Sequence, residues 1–333
     1  MIHKFISYLL KNQVVLVLFL ILIGWFILQI RGILTLVFLS YIITTALNPF
    51  VQILKKRNLP HILAVLIPYL LAIVFIVGLV VPLIPFTVMQ VQALGLNLPE
   101  YADQAARSLG FRVDAEAIRD IVANELGNIS RNAFAVTSRV FGGVFSTLTI
   151  LIVTFYMMLY HGRFKHFLAS FFHKNDREKI LGTFEQVDDK LGAWLQGQIV
   201  LSLFIFGITW VVLTVLGVPT ALPLAILAGL LEIVPTLGPI LASIPAIIVA
   251  FTISPTLAII VAIAYIVIQA LENNVLVPKI MQRAVGLNPI IVIVGVLVGA
   301  NLMGVTGALL SIPFISFIVV LYTSLRKNFD DFE

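Results

Sequence analysis

From Val14 to Ile30 the chain reads VVLVLFLILIGWFILQI, an apolar run whose one polar side chain is Gln29. A run of this kind approaches the ~20 residues that carry a helix across the ~30 Å hydrocarbon core of a bilayer. Similar runs recur along all 333 residues, so the solvent of this chain is lipid. Composition agrees: 60% of the residues are apolar, mean hydropathy is +1.10, and 11% are charged, against roughly 25% in a soluble domain. The first run has no small-x-small cleavage site and is followed by more apolar runs, so it reads as a retained span rather than a signal peptide. The expected fold class is all-α, a polytopic transmembrane helical protein.

No cysteine is present, which excludes disulfides, thiol chemistry and thiolate metal sites. The formal charge of +5 does not point to nucleic acid, because the basic residues flank the spans, where they encode orientation. Spans are expected near 13–30, 33–54, 61–86, 141–160, 198–217 and 256–278, with long interrupted apolar regions at 221–251 and 288–325. The organisation that follows is N-terminal transmembrane helices over 1–86, an extracytoplasmic amphipathic segment over 87–140, and a span with a cytoplasmic amphipathic segment over 141–197. A transport region occupies 198–325 and a short tail 326–333. Within 87–140, Ile118, Ile121, Val122 and Ile129 recur at helical spacing.

Lysines set the orientation. With the N-terminus in the cytoplasm and one crossing per span, Lys4, Lys11, Lys55, Lys56, Lys165, Lys174, Lys179, Lys190 and Lys327 lie inside. The 87–140 stretch holds no lysine and lies outside. Lys279 and Arg283 join the inside group only if 221–251 enters and returns to one face. Its length, about 46 Å as a helix, is too long for one crossing and too short for two. VPTLGP at 234–239 supplies the break, with Pro235, Gly238 and Pro239 in mid-segment. A re-entrant helical hairpin is expected there.

A second hairpin is expected over 288–325, broken at GANLMGVTG (299–307) by Gly299, Gly304 and Gly307. The phrases GPILASIPAI (238–247) and TGALLSIPFI (306–315) agree at five of ten positions, each at the start of an outgoing arm. The repeating unit is then one span followed by one hairpin, 198–251 and 256–325. One crossing separates the hairpins, so they enter from opposite faces, an inverted repeat typical of secondary transporters. Their tips, near Gly238 and Gly304, are expected to meet.

Of sixteen carboxylates, only Glu232 and Glu272 fall within spans, where a charge costs at least ~2.5 kcal/mol. Glu232 lies about 15 Å into its arm, beside Thr236 and the broken backbone. It is either a proton or cation site, or a protonated or ion-paired residue that pins the hairpin. Tyr265, Gln269, Glu272 and Asn273 are spaced to form one polar stripe; alternatively Glu272 pairs with Lys279 or Arg283. Gln196 and Gln198 open the earlier span, and Asn301 sits at the second hairpin tip. The candidate coupling or substrate residues are therefore Glu232, Thr236, Gln269, Glu272, Asn273 and Asn301.

His161, His166 and His173 do not share a helical ligand face, so no metal is expected. No phosphate-binding glycine loop, HExxH or GxSxG occurs, which disfavours ATP-driven transport and the familiar hydrolases. The expectation is a protein that is not an enzyme and uses no cofactor.

LEIVPTLGP (231–239), LENNVLVPKIM (271–281) and GANLMGVTGALLSIPF (299–314) resemble the autoinducer-2 exporter family of bacterial membrane proteins, also called PerM-like permeases. The resemblance covers essentially the whole chain and is densest from 192 onward. It implies a multi-pass protein of the bacterial cytoplasmic membrane and a homo-oligomer, a pentamer. It also implies export of a small polar metabolite, with autoinducer-2 the named candidate and a proton gradient the drive. Sodium(lithium)/proton antiport is the alternative that some members suggest, with Glu232 and Glu272 as ion ligands. A passive oligomeric channel or scaffold is the alternative of a different class.

Overall fold

A computed structural model describes residues 13–78, 133–234, 237–281 and 289–330, all essentially helical. The amphipathic stretch around Ile118, together with Thr236, Pro235 and Arg283, lies outside the described residues.

The first expectation to be corrected concerns the start. Spans 13–30 and 33–54 form one helix, α1 (Gln13–Lys56), of 44 residues, about 65 Å long. The sequence between them, Arg31–Gly32, is polar and small but contains no proline, and a lone charge does not end a helix. The expectation of an N-terminus on the same face as Lys55 rested on two crossings, and that premise is not met. Helix α2 (His61–Gly78) follows after a turn that carries Asn58 at φ 61°. Helix α3 (Ala133–Ser170) kinks at Tyr160.

Helix α4 (Arg177–Val215) likewise fuses an expected cytoplasmic segment with the span 198–217. The reason is a single buried face: Val187, Leu191, Trp194, Gln198, Leu201, Ile205, Thr209 and Leu213 recur every three or four residues. Its first half packs with Tyr41 and Ile42 of α1 and with the C-terminal region. Its second half packs with the helices that follow. Gly192 lets α1 come so close that an added Cβ would lie 2.9 Å from the Thr45 carbonyl oxygen. α4 is the spine on which both cores are built.

Helices α5 (Ala221–Leu231) and α6 (Leu237–Ile253) are short, about 16 and 25 Å, and pack on one another. Ala221, Leu224 and Ala228 share one core with Ala242, Ala246 and Ala250. The break begins at Glu232, slightly before the expected VPTLGP. Gly238 and Pro239 fall in the first turn of α6, where a proline's missing N–H costs nothing. Gly238 is required because any Cβ would collide with the Leu231 carbonyl.

Helix α7 (Pro255–Leu271) starts on a Ser254 cap, whose hydroxyl accepts from Leu257 N–H. It runs through a π-helical turn (Glu272–Leu276) into α8 (Val277–Met281). Met281 packs on Gly197 of α4, with its Sδ 3.0 Å from where a Cβ would stand. Helix α9 (Pro289–Asp330) loses helical geometry at Met303 and Gly304. Gly304 has φ 62° and ψ −143°, a region that costs other residues strain. Across this point Gly299 backs onto Gly307, and Gly295 meets the Ile315 side chain. Residues eight apart on a continuous helix are separated by about 12 Å, so these contacts make the chain turn back on itself at Met303–Gly304.

The two SIP phrases have the same local structure: Ser243 donates to the Ile240 carbonyl and Ser311 to the Ala308 carbonyl, both at 2.7 Å. Extended packing between α9 and either α5 or α6 is absent among the described residues; α9 and α5 lean on α4. Outward side chains are apolar, as on α7, where Ile259, Ile263, Ile266 and Val267 are exposed. Among the described residues, five helices are long and apolar enough to cross a membrane.

Candidate functional site

Three elements converge on one buried polar spot. α5 ends at Glu232, which caps the helix and whose backbone N–H still bonds to Ala228. α7 ends at Glu272, the first residue of the π-helical turn. α4 supplies Gln198. All three side chains are essentially inaccessible: Glu232 at 0%, Glu272 at 1% and Gln198 at 1%.

The local chain explains each position. A helix leaves its last carbonyls without partners, and at α5 the break at Glu232 puts one of these in the core. Gln198 answers it, its Nε2 donating to the Glu232 backbone carbonyl at 2.5 Å. The π turn inserts an extra residue per hydrogen-bond ring and changes which face of the helix its residues present. Tyr265 and Glu272 stay buried, Gln269 is half-buried, and Asn273 is exposed. The expected polar stripe is therefore divided. Gln269 Nε2 donates to Asn273 Oδ1 at 3.4 Å along its outer edge.

The carboxyls of Glu232 and Glu272 are electrostatic neighbours. Both Glu232 oxygens, Glu272 Oε2 and Gln198 Oε1 are buried without a well-formed hydrogen bond. Every one of these orphan atoms is an oxygen. A charged carboxylate can only accept, so such a set is completed by protons or by a hard cation. No salt bridge joins Glu272 to Lys279, which is exposed.

The remaining sequence candidates lie elsewhere. Asn301 is exposed near the Met303–Gly304 reversal, and Gly299, Gly304 and Gly307 shape that reversal. Among the described residues, no cluster of three or more His, Cys, Asp or Glu is placed to hold a metal.

A second polar centre was not legible in the sequence. Asp188 of α4 accepts from Tyr41 of α1, and from His161 and Lys165 of α3, the latter two at 2.8 Å. It ties three helices together at the end of the bundle that carries Lys55. Asp188 is followed by Asp189 in a charged stretch, and only its place beside the buried Val187 and Leu191 hints at a role.

The sequence pattern of AI-2E family transporters matches residues 14–327. The chain is 28% identical to YueF of Bacillus subtilis over 84% of this chain and 80% of that protein. It is 27% identical to YrrI of the same organism, over 83% and 81%. To the AI-2 transport protein TqsA of Escherichia coli it is 26% identical, again over 83% and 81%.

Proposed function

Because this chain belongs to the AI-2E transporter family, we propose that it moves a small polar solute across the bilayer and that the Glu232–Glu272 pair couples this movement to protons. The observation that carries the reading is the pairing of these two buried carboxyls. Two charges of one sign in low-dielectric surroundings repel strongly, so the pair is held together by a proton or a small cation. Taking up or releasing one proton then changes the charge at the end of α5 and the start of the π turn, two places where the helix is already interrupted. The all-oxygen set of orphan atoms supports a second reading, in which Na⁺ or Li⁺ takes the proton's place.

Re-entrant hairpins in an inverted repeat belong to the proposal, and the packing supports them. Met281 at the end of α8 touches Gly197 near the start of the apolar part of α4. If α4 crosses from that face, α7 must begin on the opposite one. The α5–α6 pair then starts and finishes there. α9 enters from the Met281 side and turns back at Met303–Gly304, giving a hairpin of opposite entry. Lys190, Lys279 and Lys327 all fall on the Met281 face, which the positive-inside rule assigns to the cytoplasm. A homo-oligomer in the bacterial cytoplasmic membrane is carried by the family resemblance alone.

The name of the relative TqsA makes autoinducer-2 the first solute to try. The test is flux in proteoliposomes under an imposed pH gradient. Uphill accumulation of autoinducer-2 that a protonophore collapses supports proton coupling. Dissipation of the gradient by Na⁺ or Li⁺ without autoinducer-2 supports the second reading. Flux indifferent to every gradient replaces both with a passive channel.

A further inference from the structure

At the Asp188 end of the bundle, α1, α2 and α3 enclose a cleft of about 230 Å³, smaller than the ~300 Å³ at which sites for drug-sized ligands begin. Its polar lining is Asn48, Gln52, Lys55, His61, His161 and Lys165. No carboxylate lines it. Asp188 is bound to His161 and Lys165 but is not itself part of the wall.

Several of these groups already have partners: Gln52 Nε2 donates to Asn48 Oδ1 at 3.4 Å, and Lys165 donates to Asp188. His61 gives its Nε2–H to the Leu159 carbonyl at 3.0 Å, which fixes the α2–α3 wall. His161 is 9% exposed, and its Nε2 faces Asp188. Its other nitrogen, Nδ1, is buried without a partner. Lys55 is half-buried in the last turn of α1, and no carboxylate pairs with it among the described residues. Lys55 is thus the cation of this small concavity that lacks a counter-charge, and with the amides beside it an acceptor-rich anion fits there.

The surroundings fix the depth. Around the α3 kink, Tyr156 and Tyr160 stack with both rings exposed, and Arg163 lies 5.6 Å over the Tyr160 ring. Phe167 and Phe171 are exposed on the next turns. Aromatic rings with a basic residue beside them mark the membrane–water boundary. Basic clefts between helices at that level receive phosphate head groups.

We infer that this cleft binds the phosphate group of an anionic ligand, held by Lys55 with His161, Asn48 and Gln52 around it. The phosphate comes either from a membrane phospholipid or from a soluble phosphate ester. This is independent of the Glu232–Glu272 site.

The test uses the purified full-length protein in neutral detergent, with native mass spectrometry and thermal unfolding as readouts. The probes are phosphatidylglycerol, phosphatidylcholine and inorganic phosphate. The variants are Lys55→Gln, Lys55→Glu and, as a control for net charge, Lys56→Gln, whose side chain is exposed and outside the cleft. The expected result is selective retention of phosphatidylglycerol, weakened about fivefold in Lys55→Gln, weakened further in Lys55→Glu, and unchanged in Lys56→Gln. If inorganic phosphate stabilises the protein and displaces the lipid with the same Lys55 dependence, the phosphate group alone is the ligand. If it does neither, the ligand is the lipid head group. Equal retention of both lipids with no effect of phosphate overturns the inference. Equal losses in Lys55→Gln and Lys56→Gln overturn it too, because they would report surface charge alone.

Discussion

Glu232 and Glu272 stand forty residues apart in the chain and are electrostatic neighbours in the fold, buried to 0% and 1% exposure. One closes α5 and the other opens the π-helical turn after α7. Each is tolerable in an apolar core only with a proton, a cation or a partner. Bringing both to one place makes protonation of one depend on the charge of the other.

Gln198 holds the frame of this site. Replacing it by leucine leaves the Glu232 carbonyl buried and unpaired, at a cost of about 1–3 kcal/mol. Thermal unfolding of Gln198→Leu in detergent should show a clear loss of stability. An unchanged unfolding temperature would mean that the Gln198–Glu232 bond is not formed.

The glycines separate into two groups. Gly299→Ala or Gly307→Ala should cost folded protein, because each Cβ would meet the other glycine's backbone. Gly304→Ala adds strain at φ 62°. Gly24 and Gly32 of α1 have nothing near an added Cβ, so Gly24→Ala should be neutral or raise helix stability by about 0.5–1 kcal/mol. Size-exclusion yield and unfolding temperature measure both groups. Equal tolerance across all of them would contradict the reversal at Met303–Gly304.

Asp188→Asn should loosen three helices at once, since its carboxylate accepts from Tyr41, His161 and Lys165. A loss of about 1–3 kcal/mol is expected. Tyr41→Phe should cost less, because two of the three bonds survive. Unfolding temperatures in that order support the cluster, and the reverse order contradicts it.

Much of this was legible because breakers are local. VPTLGP and GANLMGVTG lie next to the interruptions, although the second break falls at Met303–Gly304 while Gly299 and Gly307 remain helical and let the two arms approach. Glu232 and Glu272 announced themselves as the only carboxylates within spans. Their meeting was not legible, since it depends on how α5 and α7 dock on α4 and on the register change of the π turn. The long helices run past the boundaries that hydropathy suggests, for a related reason. A drop in hydropathy at Arg31 or Lys190 marks a change in what surrounds a side chain, whereas a helix ends only where its hydrogen bonds are interrupted. α1 and α4 therefore continue through both positions.

Topology is open to direct labelling, because the chain has no cysteine of its own. Lys279→Cys and Lys56→Cys place thiols at exposed positions. Both should resist a membrane-impermeant maleimide added to intact cells and react after permeabilisation. Labelling of position 279 from outside would contradict the return of α5–α6 to the face they left.

The coupling claim is tested most directly by proton movement in proteoliposomes. Internal pH is followed while autoinducer-2, or Na⁺ or Li⁺ as the alternative, is added to wild type, Glu232→Gln and Glu272→Gln, each first shown to be folded by its elution profile. Wild type should move protons when solute is added. Each single variant should fold yet lose solute-dependent proton movement, because a glutamine can neither take up nor release the proton. A folded Glu232→Gln protein that moves protons and solute at the wild-type rate would contradict the account.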